Sequence, residues 1–374
     1  MTTVYENNPD SPGIHVFVIG VGYYHHLRGG RAANAAAEDF DLEQLSSPAA
    51  SAVSIANWFR NRLRDDGLSG SIELLISSNP QSRFDGITLE GATRVNVDAA
   101  FNRWFGRGNL HQENICIFYF CGHGVEKTDL LLLLEDLGAQ PLRRFENAIN
   151  FHKTYQGMSR CAARTQCYFI DSCRQNPTAL HELIDDSGGT ALIDPLARGM
   201  DYQRNAPVVM ATAPGLAAFG KSKSPSRFAS ALIEALDGSG SEHINGQWCI
   251  TTGRIGVGIS SAMRRSQNTE HAQMSCIEGQ VINPQAQIIP LPNAPIVPVC
   301  IASDPHDAID GATINVMTTA RAVHQTRSPE PGSWRITLPA SMYIVQAMFN
   351  GGSAPCEESL WAAPPSAEVT VKKL

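Results

Sequence analysis

ENICIFYFCGHGVEKTDLLLLLEDLG, residues 113–138, decides the fold. Its run Ile115–Phe120 is short, β-branched and aromatic, and stops at a polar break, the pattern of a buried strand. The break is Gly122-His123-Gly124, which leaves one imidazole with little side-chain bulk on either side. A turn that happens to hold a histidine is one reading. A second stretch, CYFIDSCRQN (167–176), repeats the arrangement with a cysteine, Cys173, at the break.

Working outward, three more apolar runs read as buried strands: Ile14–Ile19, Ile72–Ile76 and Val208–Ala211. Between them lie helical stripes. Ala52, Ile55, Ala56, Phe59 and Leu63 form one, and Val97, Ala100, Phe101, Trp104 and Phe105 form another. SRFASALIEALDGSG forms a third, stopped by Gly238 and Gly240. Strands alternating with helices predict an α/β fold over roughly 12–280, with right-handed crossovers and a mostly parallel sheet covered on both faces.

Composition changes near residue 284, since twelve of the 22 prolines lie in the last 91 residues. That tail holds short alternating runs such as WRITLPASMYIVQAMF and AEVTVKKL. They predict a small β-sandwich-like domain over 284–374, joined by a linker, NPQAQIIPLPNAP. A meandering extension packed on the first domain is the alternative.

The bulk numbers exclude several classes. Among 374 residues, 29 basic against 36 acidic side chains give a net charge of −7, with no surplus for nucleic acid or an anionic membrane. No apolar run is long enough to span a bilayer, and the first residues lack a signal-peptide pattern. Nine cysteines without a CxxC pair argue against a disulfide framework or zinc ribbon. A reducing, cytoplasmic setting is expected, with no cofactor and no metal.

In an open parallel sheet the carboxyl ends of the strands share one edge. If the strands before His123 and Cys173 are neighbours, imidazole and thiol come within reach, and the histidine can accept the thiol proton. The separation of 50 residues matches the caspase-type spacing. Over most of 14–236 the chain resembles the caspase-like cysteine peptidases, the clan of caspases, paracaspases and bacterial metacaspase-like proteins. The resemblance runs from HVFVIGVGYY through the histidine and cysteine boxes to GGTALIDPLARG, PVVMATAPGLAAFG and SRFASALIEAL.

The resemblance implies a caspase-like α/β/α peptidase domain over 12–283, with a large half to about 180 and a small half from about 206. It implies a cysteine endopeptidase with Cys173 as nucleophile, His123 as general acid/base, and the N–H groups of Gly124 and Cys173 as oxyanion hole. A bulky residue at 124 would crowd the scissile carbonyl. Asp171, where true caspases carry glutamine, implies a pocket for basic P1 residues, arginine over lysine; an Asp capping a turn is the alternative. A second acidic pocket residue falls to Glu38, Asp39 or Asp41, with no register to choose among them.

The expected partner is a protein or peptide substrate, and the tail domain is a candidate surface for a protein partner. Bacterial relatives often act in stress, cell-death or antiviral systems. Self-cleavage is expected after Arg198 or Arg204, in a joining segment read as an exposed loop against a packed, uncut alternative. Two other functions stay open: a caspase-fold scaffold with a vestigial dyad, and the same chemistry with a non-basic P1 preference. HELID (181–185) departs from a zinc-binding helix in its second ligand and reads as a solvated helix or loop. His25-His26 reads equally well as a metal-binding pair or as a polar loop after the first strand, and the acidic pair at 185–186 is too short for calcium. Cys116, Cys121, Cys161, Cys167, Cys249 and Cys276 read as buried small hydrophobes, while Cys300 and Cys356 are left unassigned.

Overall fold

Seven strands build the first sheet: β1 (Thr3–Asn7), β2 (Ile14–Val21), β3 (Gly70–Ser77), β4 (Ile115–Gly122), β5 (Thr165–Ser172), β6 (Ala206–Met210) and β7 (Cys276–Gln280). They belong to a computed structural model that describes residues 2–8, 10–33, 42–126, 128–174, 189–195, 203–212, 223–266, 275–350 and 354–373. The spatial order is β1-β3-β2-β4-β5-β6-β7. The five inner strands are mutually parallel and coincide with the five apolar runs of the sequence. Both edges, β1 and β7, are antiparallel.

Every residue of β2 and β3 is buried, as a sheet covered on both faces requires. The covers are α1 (Pro48–Asp65), which links β2 to β3, and α2 (Arg94–Gly108), which links β3 to β4. These crossovers run in opposite directions along the sheet, so right-handed connections place the two helices on opposite faces. Helix α1 starts with Pro48 in its first turn and buries Ala52, Ile55, Ala56, Phe59 and Leu63. Helix α2 starts at Thr93, whose side chain accepts the Asn96 N–H, and buries Val97, Ala100, Phe101 and Trp104 against Phe17, Ile19 and Phe118. The connections leave in opposite directions from between β2 and β4, which makes that point a switch point of the kind where α/β sheets build sites.

The edge strands are absent from the apolar pattern because polar contacts hold them. Buried Glu73 on β3 accepts the hydroxyls of Thr2 and Thr3, both at 2.6 Å, and pairs with Arg103 and Arg107 of α2. Burial opposes its charge, yet these bonds hold its carboxyl below the usual range.

The chain divides into two compact units, Met1–Ile233 with Met263–Ala286, and Glu234–Ala262 with Gln287–Leu374. Residues 234–262 thus group with the tail, whereas the sequence reading puts them in the first domain. Within the second unit, Gln247–Thr251 pairs with Ser241–Ile244 on one side and Gln287–Pro290 on the other. The expected linker therefore contains a strand, because Ile288 and Ile289 are buried and their backbone completes a sheet.

The rest of this unit is two sheets. One orders Trp334–Pro339, Ile296–Asp304 and Ala367–Lys372; the other orders Val323–Arg327, Thr313–Thr318, Ser341–Met348 and Cys356–Ala362. Val299, Ile301, Val369 and Val371 of the first meet Ile314, Val316, Val345 and Leu360 of the second in one core. Among the described residues no helix is long and apolar enough to cross a membrane.

His15 supplies a test of this packing. Its ring lies fully buried on β2, with Nδ1 2.9 Å from Ser71 Oγ and Nε2 without a partner. Burial first, then the positive charge of Arg107, lowers its pKa from 6.5 to about 4. Between those values the unfolded chain takes up a proton that the folded chain refuses. Stability is therefore full above pH 6.5 and falls toward pH 4, by about 3 kcal/mol. Urea unfolding at pH 7 and pH 4.5 should show that loss, and His15→Gln should flatten it.

Candidate active site

Strands β4 and β5 pair in parallel without a break from Thr165↔Ile115 to Asp171↔Cys121 and Ser172↔Gly122. His123 and Cys173 each follow the last paired residue, so they leave the sheet at the same level on adjacent strands, about 4.8 Å apart in the ladder. Both are half-buried, and Cys173 is in no disulfide.

Two residues outside the two boxes place His123. Its Nε2 is 2.7 Å from the Glu43 carbonyl, which makes Nε2 the protonated nitrogen and leaves Nδ1 as the acceptor. Its backbone N–H donates to Tyr24 Oη at 2.8 Å, and the Tyr24 ring packs on the imidazole with centroids 5.1 Å apart. Burial lowers the imidazole pKa, which the bond to Glu43 partly offsets, so the ring is neutral and ready to accept at neutral pH. Tyr24 is itself fully buried, which pushes its phenol pKa up and keeps it neutral. Neither Tyr24 nor the Glu43 carbonyl was singled out in the sequence; only YY after the first strand hints at the former.

Both glycines have steric causes. A Cβ on Gly122 would come within 3.0 Å of Tyr24 Oη. On Gly124 it would meet Ser172 Oγ at 2.6 Å and the Cys173 carbonyl at 2.7 Å. Gly124 thus keeps clear of the cysteine segment itself, a more immediate crowding than the expected one against a substrate carbonyl. Gly124 opens the strand Gly124–Glu126, which pairs with Leu130–Leu132. Leu133 N–H donates to the His123 carbonyl, which makes Gly124↔Leu132 a non-hydrogen-bonded pair. The Gly124 N–H therefore turns away from the ladder.

Asp171 lies on the α1 face of β5 with its carboxylate buried. Tyr119 donates to Oδ2 at 2.8 Å and Ser226 donates a shorter bond to the same oxygen, so neither hydroxyl engages Oδ1. The Cys121 thiol lies against it as well. Burial raises the Asp171 pKa against the lowering effect of these donors. Cys121 is a small buried residue as read, with its thiol turned to this carboxylate. Cys276, by contrast, is half-buried with Sγ 3.3 Å from Glu278.

The other candidates divide. Arg204 is not in an exposed loop: it is 4% exposed, donates to Gln166 Oε1 and the Tyr155 carbonyl, and stacks over the Tyr155 ring at 4.4 Å. The guanidinium finds acceptors and an aromatic face inside, so the chain after it enters β6 packed. Arg198, the Glu38, Asp39 and Asp41 trio, the HELID segment and the acidic pair at 185–186 lie outside the described residues. His25 bonds to buried Glu135, and among the described residues no cluster fit to hold a metal occurs. Cys300 and Cys356 are free thiols.

Tyr24→Phe should remove the acceptor for a buried N–H beside the site and cost about 1–3 kcal/mol of stability. Equilibrium unfolding in urea measures it.

Two comparisons bear on identity. The caspase-domain family model matches residues 18–283. The uncharacterized protein y4kE of Sinorhizobium fredii is 27% identical over 219 residues, 57% of this chain and 62% of that protein, so the match spans less than two thirds of its length. A central parallel sheet with a histidine and a cysteine at adjacent strand ends, and a family match over most of the chain, lead to one conclusion: this chain belongs to the caspase-domain peptidases, a family of cysteine hydrolases.

Proposed function

We propose that the chain is a cysteine endopeptidase in which Cys173 attacks, His123 moves the proton, and Asp171 receives a basic P1 side chain, arginine over lysine. The observation that carries this reading is the unbroken β4–β5 register, which delivers the two side chains to one level of the sheet edge. The Glu43 carbonyl supports it, because holding Nε2–H leaves Nδ1 to take the thiol proton. The thiolate then adds to the scissile carbonyl. The resulting oxyanion is received by the N–H groups of Gly124 and Cys173, the first of which is turned from its ladder. His123 returns the proton to the leaving amine, and water releases the acyl group by the same steps in reverse.

Asp171 suits a guanidinium because both hydroxyl donors sit on Oδ2. A basic P1 group would add a charge-assisted pair to this carboxylate. The same burial favours a second reading, in which Asp171 stays protonated as a structural group and P1 is not basic. The tail unit is assigned to binding a protein partner rather than to chemistry.

Cys173→Ala should abolish cleavage of an arginyl reporter peptide with little change in fold, and His123→Ala should be nearly as damaging. Wild-type turnover in purified Cys173→Ala would sink the dyad.

Asp171→Asn separates the two pocket readings. Its folded pKa is raised, so ionising Asp171 costs stability as pH rises through the carboxylate range. The variant should therefore be at least as stable as wild type at pH 7, yet lose most arginyl cleavage. In wild type, kcat/KM for arginyl peptides should fall on acidification at a pH above 3.8, because the protonated carboxyl no longer pairs with guanidinium. A wild type that prefers leucyl or aspartyl peptides would favour the second reading. Intact mass of the active enzyme tests self-processing, with no fragment expected at buried Arg204.

A further inference from the structure

Arg174 directly follows Cys173, and its side chain is 3% exposed. Its guanidinium forks onto Glu126, Nε to Oε2 at 2.5 Å and Nη2 to Oε1 at 2.7 Å. Its Nη1 reaches Glu278 Oε1 at 3.1 Å. Glu126 ends the short strand that begins at Gly124, one residue after His123. Glu278 belongs to the antiparallel edge strand β7. One buried cation thus joins the segment after the cysteine, the segment after the histidine and the edge of the sheet.

A buried ion pair is weak evidence for net stability, because desolvation cancels much of the attraction. What a forked arginine supplies is geometry: two parallel bonds fix the planes of both groups, which a lysine cannot do. The β4–β5 ladder ends at Ser172 and Gly122, so it no longer controls the backbones beyond. Arg174–Glu126 is a two-bond cross-link beyond that point.

We propose that Arg174 is a positioning residue: by tying the residue after Cys173 to the hairpin after His123 and to β7, it sets the thiol–imidazole separation. This rests on the reading of Cys173 and His123 as the reacting pair.

The test uses the full chain with Arg174→Lys, which keeps the charge and loses the fork, and Glu126→Gln, which keeps the volume and the Arg174–Glu278 bond. Two readouts are taken: turnover of an arginyl reporter, and the rate of Cys173 alkylation by iodoacetamide as a function of pH. In wild type, proton transfer to His123 should make alkylation fast at neutral pH. In Arg174→Lys the profile should move toward that of an ordinary thiol near about 8.5. kcat should fall roughly tenfold to a hundredfold with KM within about threefold. Glu126→Gln should shift both in the same direction by less, and it decides the matter if Arg174→Lys does not fold.

Folded variants with the wild-type alkylation profile, or activity losses that only follow the folded fraction, would overturn the proposal. Alkylation needs no substrate, so a wild type inactive on arginyl peptides, with a profile still moved by the variants, would defeat the specificity reading and leave the positioning role standing.

Discussion

The parallel ladder between β4 and β5 is the constraint on which the site depends. Eight consecutive partner pairs join the strands, and nearly all of their side chains are buried. A slip by one residue would send every side chain to the opposite face, so both layers of core resist it. The register that packs Phe118 and Tyr168 therefore also brings His123 level with Cys173 and Asp171 level with Cys121. Site geometry is inherited from core geometry.

Burial then sets the chemistry at the strand ends. Tyr24, Tyr119 and Asp171 are all taken out of water, so each must be held by a partner. Tyr24 accepts the His123 N–H, Tyr119 donates to Asp171, and Ser226 reaches the same carboxylate from the start of the helix Arg227–Glu234. That helix belongs to the half of the domain after the joining segment. The carboxylate is consequently held from both halves, and its raised pKa is the physical cost of keeping a charge there.

The two units differ in how their strands are read. In the first, β2 and β3 are buried at every position because helices cover both faces. In the second, Ile296–Asp304 alternates buried and half-buried residues, since only its inner face meets the opposite sheet. The same difference explains the linker. Its apolar pair Ile288-Ile289 sits among prolines in the sequence, and only pairing with Gln247–Thr251 reveals a strand.

What the sequence determined by itself was everything carried by apolar periodicity and by the two polar breaks. The five inner strands, the α1 and α2 stripes, the composition change near 284 and the strand ends that carry His123 and Cys173 were legible, because burying a strand on two faces demands a continuous apolar run; that those two strands are neighbours came from the pairing. The edge strands were not, since β1 is held by Thr2, Thr3 and Glu73 rather than by greasy side chains. Nor were Tyr24, the Glu43 carbonyl and Ser226, which reach the site across 99, 80 and 55 residues of chain. Arg204 looked like an exposed cleavage point and proved to be packed, because a guanidinium can be buried wherever the fold happens to offer it a carbonyl, an amide oxygen and a ring. Polar partnerships at long sequence separation leave no periodic trace; only the tertiary structure decides which donor meets which acceptor.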